Sequence, residues 1–246
     1  DPGEFDARGC VFPAASRFDD AWYLYYSGHE DSDLGLQSFP GIGLAVSEDG
    51  IHFERFPESP IITGNRTVDF RANRGVTGGG SIIPVTDLDG ITSYRMTYTL
   101  AVGREGPDQR AGREHHVAVC HSMDGIDWFD HRVVLSPRKD VSTEDIGVAA
   151  PFVWQDGPVY RMLYSCTGSR SPYYTIAEAV SIDGVNWIRG EDSALVLTPD
   201  ADCPWESGGV ACACVVREGT GYRLFYTGGV DGMGGIGTAV SQDRAG

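Results

Sequence analysis

Apolar positions along this chain come in short, strand-length runs broken by glycine and by Asp-Gly pairs, and the runs form a module that recurs four times. Each copy opens with a glycine-led apolar strand: GCVFPAAS (Gly9 to Ser16), GVTGGGSII (Gly75 to Ile83), GVAAPFVW (Gly147 to Trp154) and GVACACVV (Gly209 to Val216). A second strand follows and ends in Tyr plus a small hydroxyl residue: WYLYYSG (Trp22 to Gly28), YRMTYT (Tyr94 to Thr99), YRMLYS (Tyr160 to Ser165) and YRLFYTG (Tyr222 to Gly228). A third closes on a Ser-x-Asp turn: SEDGIHF (Ser47 to Phe53), SMDGIDW (Ser122 to Trp128), SIDGVNW (Ser181 to Trp187) and SQDRAG (Ser241 to Gly246). The turn serines Ser47, Ser122, Ser181 and Ser241 stand 75, 59 and 60 residues apart. Three or four short strands per unit at this spacing predict an all-β chain built as a β-propeller. Four blades are visible, over roughly residues 6–57, 69–135, 144–197 and 206–246 of a single domain. The last lacks a fourth strand, and the count becomes five if a terminal blade lies outside the sequence.

The Asp-Gly pairs suit a tight hairpin into a fourth strand, because glycine takes positive φ at little cost. The aromatic three residues beyond each glycine (Phe53, Trp128, Trp187) is expected to pack between blades, which makes this motif scaffold. Chemistry is expected at the other end, where the loops entering the inner strands meet those joining second to third strands around the axial opening.

Bulk properties narrow the partners. A net charge of −16 argues against nucleic acid, which calls for a basic face. No apolar run approaches the ~18 residues of a membrane span, so no membrane partner is expected. Of six cysteines, Cys10, Cys120, Cys166, Cys212 and Cys214 fall in predicted strands and Cys203 in a loop, without zinc-type spacing. They read as buried free thiols of a cytoplasmic protein, with a disulfide through Cys203 and a secreted location as the alternative. No metal and no cofactor are expected.

Three positions before the aligned glycines stand Asp6, Ala72, Glu144 and Glu206, so three of four equivalent sites carry a carboxylate. Asp69 and Asp145 could join them, and Arg8 and Arg74 directly precede their glycines. The facing loops bring His29, Arg104, His115, His116, Tyr173 and Tyr174, with His116 favoured over His115. Glu178 stands where the other third strands have Leu44, Val119 and Thr238, so it must find a partner or line a wet pocket. Convergent carboxylates suit glycosidic chemistry, in which one acid donates to the leaving oxygen while another activates water or attacks carbon. The plainer reading is that each acid caps a turn or pairs with an arginine, as Asp6 with Arg8.

On the Tyr-small strand ends (Tyr26-Ser27-Gly28, Tyr226-Thr227-Gly228) and the SxDGxx(F/W) turns, the chain resembles the glycoside hydrolase propellers of the arabinanase, levansucrase and invertase type. The resemblance covers nearly the whole chain. It implies a five-bladed fold and a site of an Asp base, a second Asp that tunes pKa, and a Glu acid. The chain departs from that pattern where an acid should precede proline: Phe12 stands before Pro13 and Ala150 before Pro151. A sialidase-type Asp-box is ranked low, because it places a residue between Asp and Gly that these turns lack. The leading expectation is a sugar-active, glycoside hydrolase-like enzyme. Asp6, Glu144 and Glu206 would be catalytic, and Arg8, Asp69, Arg74, His116, Tyr174 and Glu178 would bind a carbohydrate or small-molecule substrate. The alternatives are a repurposed propeller catalysing elimination, isomerisation or cyclisation with His116 or Glu178 as base, and a non-catalytic carbohydrate-binding protein.

Overall fold

A computed structural model describes residues 4–31, 37–63, 74–77, 80–87, 89–103, 113–191, 195–229 and 234–241. All regular structure among them is strand, in four antiparallel sheets that are the blades of a β-propeller. Blade 1 holds β1 (Gly9–Phe18), β2 (Ala21–Asp31), β3 (Gln37–Ser38), β4 (Gly41–Ser47), β5 (Glu54–Arg55) and β6 (Ile62–Thr63). Blade 2 holds β7 (Arg74–Thr77), β8 (Ile82–Thr86), β9 (Thr92–Gly103), β10 (Arg113–Ser122) and β11 (Phe129–Leu135). Blade 3 holds β12 (Gly147–Asp156), β13 (Val159–Gly168), β14 (Ser171–Ser181), β15 (Ile188–Arg189) and β16 (Leu195–Leu197). Blade 4 is the three-stranded sheet β17 (Val210–Glu218), β18 (Gly221–Gly228) and β19 (Gly235–Val240). The chain divides into two compact units at Ser136/Pro137, with blades 1 and 2 in the first and blades 3 and 4 in the second.

Side chains alternate across each second strand, and the alternation decides what each blade presents. In unit 1, Tyr25 of β2 faces blade 2 and donates its hydroxyl to the Gly125 carbonyl at 2.7 Å. Phe18, Ile42, Leu44, Tyr98, Leu100 and Cys120 pack around it, with Trp128 edge-on to Tyr25 as the interblade aromatic expected from sequence. Gly125 has φ 76°, and a Cβ there would come 2.6 Å from the Phe18 ring, so glycine is required on two counts. In unit 2, Leu163 and Ile176 of blade 3 pack on Val210, Leu224 and Tyr226 of blade 4. Fully burying such a side chain is worth about 1.5–3 kcal/mol, which holds neighbouring blades together.

The Asp-Gly turns differ from the tight hairpin that the sequence suggests. β4 ends at Ser47 and β5 begins at Glu54, and the loop between them wraps around a carboxylate. Asp49 Oδ1 accepts from the Ile51 and His52 N–H groups at 2.8 Å each and from Ser47 Oγ at 2.9 Å. Ser47 Oγ in turn accepts from Gly50 N at 2.9 Å. Blades 2 and 3 repeat the arrangement with Ser122, Asp124 and Gly125 and with Ser181, Asp183 and Gly184. Side-chain acceptors replace ladder bonds here, which lets the chain cross a longer gap.

Inner strands β1, β12 and β17 each carry a bulge. Cross-strand pairing slips between Val11 and Ala14, between Ala149 and Phe152, and between Ala211 and Cys214. At each slip sits a non-glycine residue with left-handed backbone: Phe12 (φ 53°), Ala150 (φ 46°) and Cys212 (φ 54°). All six cysteines are free; Cys120 and Cys166 are buried as expected, Cys203, Cys212 and Cys214 are half-buried, and Cys10 is exposed with its thiol 3.9 Å from Asp6 Oδ2.

Candidate functional site

The three pre-strand acids share one arrangement. Asp6, Glu144 and Glu206 are all buried, and each accepts the hydroxyl of the tyrosine twenty residues later: Tyr26 to Asp6 Oδ2 at 3.1 Å, Tyr164 to Glu144 Oε2 at 2.8 Å, and Tyr226 to Glu206 Oε1. Burial and then the Asp6 charge push the Tyr26 hydroxyl up to about 12. Burial and the hydrogen bond to Glu206 push Tyr226 up to about 12, and burial with Glu144 raises Tyr164 further. All three phenols therefore keep their protons at neutral pH and donate. In blades 1 and 4 the residue before the acid stacks on the tyrosine, with Phe5–Tyr26 and Trp205–Tyr226 centroids both 5.9 Å apart. Ala72 of blade 2 lies outside the described residues, and Tyr98 there meets His131 Nδ1 at 3.1 Å instead.

Beyond the tyrosine the three acids differ. Asp6 Oδ2 is held by Arg55 Nη2 at 2.9 Å, while Asp6 Oδ1 is buried with no donor among the described residues. Glu144 Oε1 is shared by Arg138 Nε and by Arg189 Nη1 at 3.0 Å. Glu206 pairs with no arginine among the described residues, and its Oε2 receives only the Asp200 N–H at 3.4 Å. Sequence reasoning passed over these partners. The constant twenty-residue interval from acid to tyrosine could have revealed the phenols, whereas nothing local marks Arg55, Arg138 or Arg189.

Asp69 and Arg104 lie outside the described residues, as does the side chain of Arg74, whose backbone opens β7. Arg8 donates its backbone N–H to the His29 carbonyl at 3.0 Å. His116 is clamped, with Nδ1 at 3.0 Å from Ser136 Oγ and Nε2 at 3.4 Å from Glu114 Oε1. Tyr174 abuts the entry to blade 4, where a Cβ on Gly209 would come 3.0 Å from its backbone nitrogen. Glu178 has found a partner: Arg161 Nη1 donates to Oε1 at 2.6 Å while its Nε holds Asp156 Oδ2 at 2.8 Å. Glu178 is paired across the ladder with Leu163, and its neighbour Tyr164 holds Glu144. The two glutamates therefore lie on opposite faces of the blade 3 sheet.

No established protein-family profile matches the chain. It is 30% identical over 244 residues to the uncharacterized protein Rv1502 of Mycobacterium tuberculosis (strain ATCC 25618 / H37Rv), covering 98% of this chain and 74% of that protein. The chain belongs to the Rv1502 family. A shorter stretch of 102 residues is 35% identical to a β-1,2-mannobiose phosphorylase of Thermoanaerobacter sp. (strain X514), covering 41% of this chain and 28% of that protein. Among solved structures, a thermostable family-43 glycoside hydrolase matches with TM-score 0.66 and 18% identity, over 95% of this chain and 72% of the hydrolase. A β-1,2-mannobiose phosphorylase from Listeria innocua, in complex with β-1,2-mannobiose, matches with TM-score 0.62 and 15% identity, over 96% and 58%. The fold is thus that of the glycoside hydrolase propellers.

Within this fold the bulges are informative. Left-handed backbone at a non-glycine residue costs about 1–3 kcal/mol and is typical of functional positions. In this member of the Rv1502 family those positions hold Phe12, Ala150 and Cys212, none of them an acid. The Phe12 ring lies 6.0 Å from Phe39, which is 5.5 Å from His29, so blade 1 fills its bulge corner with rings. The Cys212 thiol is pushed up by burial, which makes it a poor nucleophile at neutral pH.

Proposed function

We propose that the chain is a sugar-active propeller enzyme that cleaves a glycosidic bond, with its carboxylate chemistry in the loops entering the inner strands rather than at the bulges. The observation that carries this reading is the contrast between Glu144 and Glu206 in unit 2. Glu144 takes three donors, two of them guanidinium groups, which suits a fixed bracing charge. Glu206 has one strong donor and a lightly held second oxygen, which suits a group that exchanges a proton with a leaving oxygen. Asp6 in unit 1 remains a candidate base or nucleophile, with one oxygen unengaged among the described residues.

Phosphorolysis is the second reading, favoured by the 102-residue likeness to a mannobiose phosphorylase. Hydrolysis calls for an acid and a second carboxylate. In phosphorolysis the phosphate is the nucleophile and one protein acid suffices, which fits a chain without acids at its bulges.

The test is product release from β-mannosides, α-L-arabinofuranosides and β-fructofuranosides, with and without inorganic phosphate. Turnover that needs phosphate and yields a sugar 1-phosphate marks phosphorolysis; turnover without it marks hydrolysis. Glu206→Gln is expected to lower turnover by about 10²–10⁴-fold with the melting temperature retained. Undiminished activity in Glu206→Gln would overturn the assignment.

A further inference from the structure

On unit 2 a hollow of about 400 Å³ opens beside the β13–β14 turn, the outer strand β16 and the loop that leads into β17. Its wall includes Thr143, Arg170, Ser171, Tyr173, Thr198 and Ser207. Thr143 precedes Glu144 and Ser207 follows Glu206, so the hollow borders both acid-bearing loops. The carboxylates themselves turn away, onto Tyr164 and Tyr226.

Three features define what would fit. The first is Arg170. Its backbone is fixed by a hydrogen bond from Arg170 N to the Ser142 carbonyl at 2.8 Å. Its exposed guanidinium has no hydrogen-bond or ion-pair partner among the described residues, whereas Arg55, Arg132, Arg138, Arg161, Arg189 and Arg223 each hold a carboxylate. In a chain of net charge −16, such a guanidinium at the edge of a hollow is open to an anion from outside. Its planar fork matches a carboxylate or phosphate. The second is Tyr173, which is 47% exposed, and it stands with Leu195 and Pro199 as the flat apolar part of the wall. A pyranose ring has apolar C–H faces that suit such a surface. The third is the pair of hydroxyls on Ser171 and Thr198; Ser171 Oγ accepts the Tyr173 N–H at 3.3 Å and keeps its own proton to donate to a ring hydroxyl. The volume lies at the small end of ligand sites, the size of one or two sugar rings.

A free anion would leave Tyr173 unused, and a neutral sugar would leave Arg170 unused. We propose that this hollow is a binding subsite for an acidic sugar, a monosaccharide unit bearing a carboxylate or phosphate. The anion sits on Arg170 and the ring lies against Tyr173. The inference rests on the sugar-active reading only for the class of ring.

The test is titration calorimetry of the full chain with galacturonate, mannose 6-phosphate, galactose, mannose and inorganic phosphate. Acidic sugars are expected to bind at least about tenfold more tightly than their neutral counterparts. Arg170→Ala should erase that preference, Arg170→Lys should restore part of it, and Tyr173→Ala should weaken charged and neutral sugars alike. A preference for galacturonate identifies the anion as a carboxylate, and one for mannose 6-phosphate as a phosphate; either supports the site. Equal affinity for charged and neutral sugars, an unchanged Arg170→Ala protein, or inorganic phosphate bound as tightly as mannose 6-phosphate would overturn it. Acidic-sugar binding in a protein that turns over no glycoside would sink the catalytic reading alone. Turnover without acidic-sugar binding would sink this subsite alone.

Discussion

The two ends of a blade are built under different rules. At the turn end, Ser47, Ser122 and Ser181 make the same bonds to Asp49, Asp124 and Asp183, and the glycines that follow have φ of 74°, 76° and 70°. At the entry end, Asp6, Glu144 and Glu206 share only a tyrosine twenty residues away. Arg55 completes the first, Arg138 and Arg189 the second, and a backbone N–H of Asp200 the third. The turn draws every partner from within a few residues of itself, so it can be copied from blade to blade unchanged. The entry end mixes partners from its own loops, Arg138 and Asp200, with partners from distant strands, Arg55 and Arg189, so each copy settles its own electrostatics. Repetition marks scaffold, and divergence around a shared frame marks where chemistry can differ.

The widest test of that contrast is Glu144→Ala. It leaves Arg138 and Arg189 around a buried gap with no shared counter-ion, and it is expected to cost about 3–5 kcal/mol in urea unfolding. A loss near that of an exposed pair such as Arg223–Glu218, about 1 kcal/mol or less, would make the entry end as plain as the surface. Next is Tyr226→Phe, which takes the hydroxyl from Glu206 and should cost about 1.5–3 kcal/mol, the range for bonds to charged groups. Tyr98→Phe in blade 2, where the hydroxyl meets His131, should cost only about 0.5–1.5 kcal/mol. Equal losses would erase the distinction between a tyrosine set on a carboxylate and one set on an imidazole. Ala150→Gly is expected to stabilise by up to about 1 kcal/mol, since release of left-handed strain outweighs the chain entropy that glycine adds. A lower melting temperature would show the Ala150 methyl to be a packing group.

The smallest effect belongs to the turns. The His52 ring and then the His52 and Ile51 N–H groups hold Asp49 well below the ordinary carboxylate range, as the Asn186 and Val185 N–H groups hold Asp183. A depressed folded-state pKa contributes stability above the unfolded value of about 4, and that stability is lost as pH falls through the folded value. Melting temperatures taken stepwise from neutral pH downward should therefore fall below about pH 4. Asp183→Asn should flatten that decline; an unchanged slope would remove the turns from acid unfolding.

The fold was legible because its signals are local: the Tyr-small strand ends and the Ser-x-Asp-Gly turns lie within single runs of sequence. The turn geometry is less legible, because an Asp carboxylate bonding forward to two N–H groups leaves no mark beyond the Asp itself. At the entry end the positions of Asp6, Glu144 and Glu206 could be read from alignment of the repeats, while their arginine partners could not. Arg189 lies 45 residues from Glu144, a distance that only folding closes. The register of Glu178 calls for a partner or a wet pocket, and Arg161 on the adjacent strand donates to it.

The inner-strand bulges carry one further consequence. Phe12 with Pro13, Ala150 with Pro151, and Cys212 with Ala213 each stand two against one on the partner strand, opposite Tyr26, Tyr164 and Tyr226. The extra residue of a bulge has no ladder partner of its own, so a ring, a methyl and a thiol occupy equivalent places at Phe12, Ala150 and Cys212. Such a place is an open slot in an otherwise closed weave. A single substitution there can change the reagents that a blade offers while every neighbouring thread stays in register.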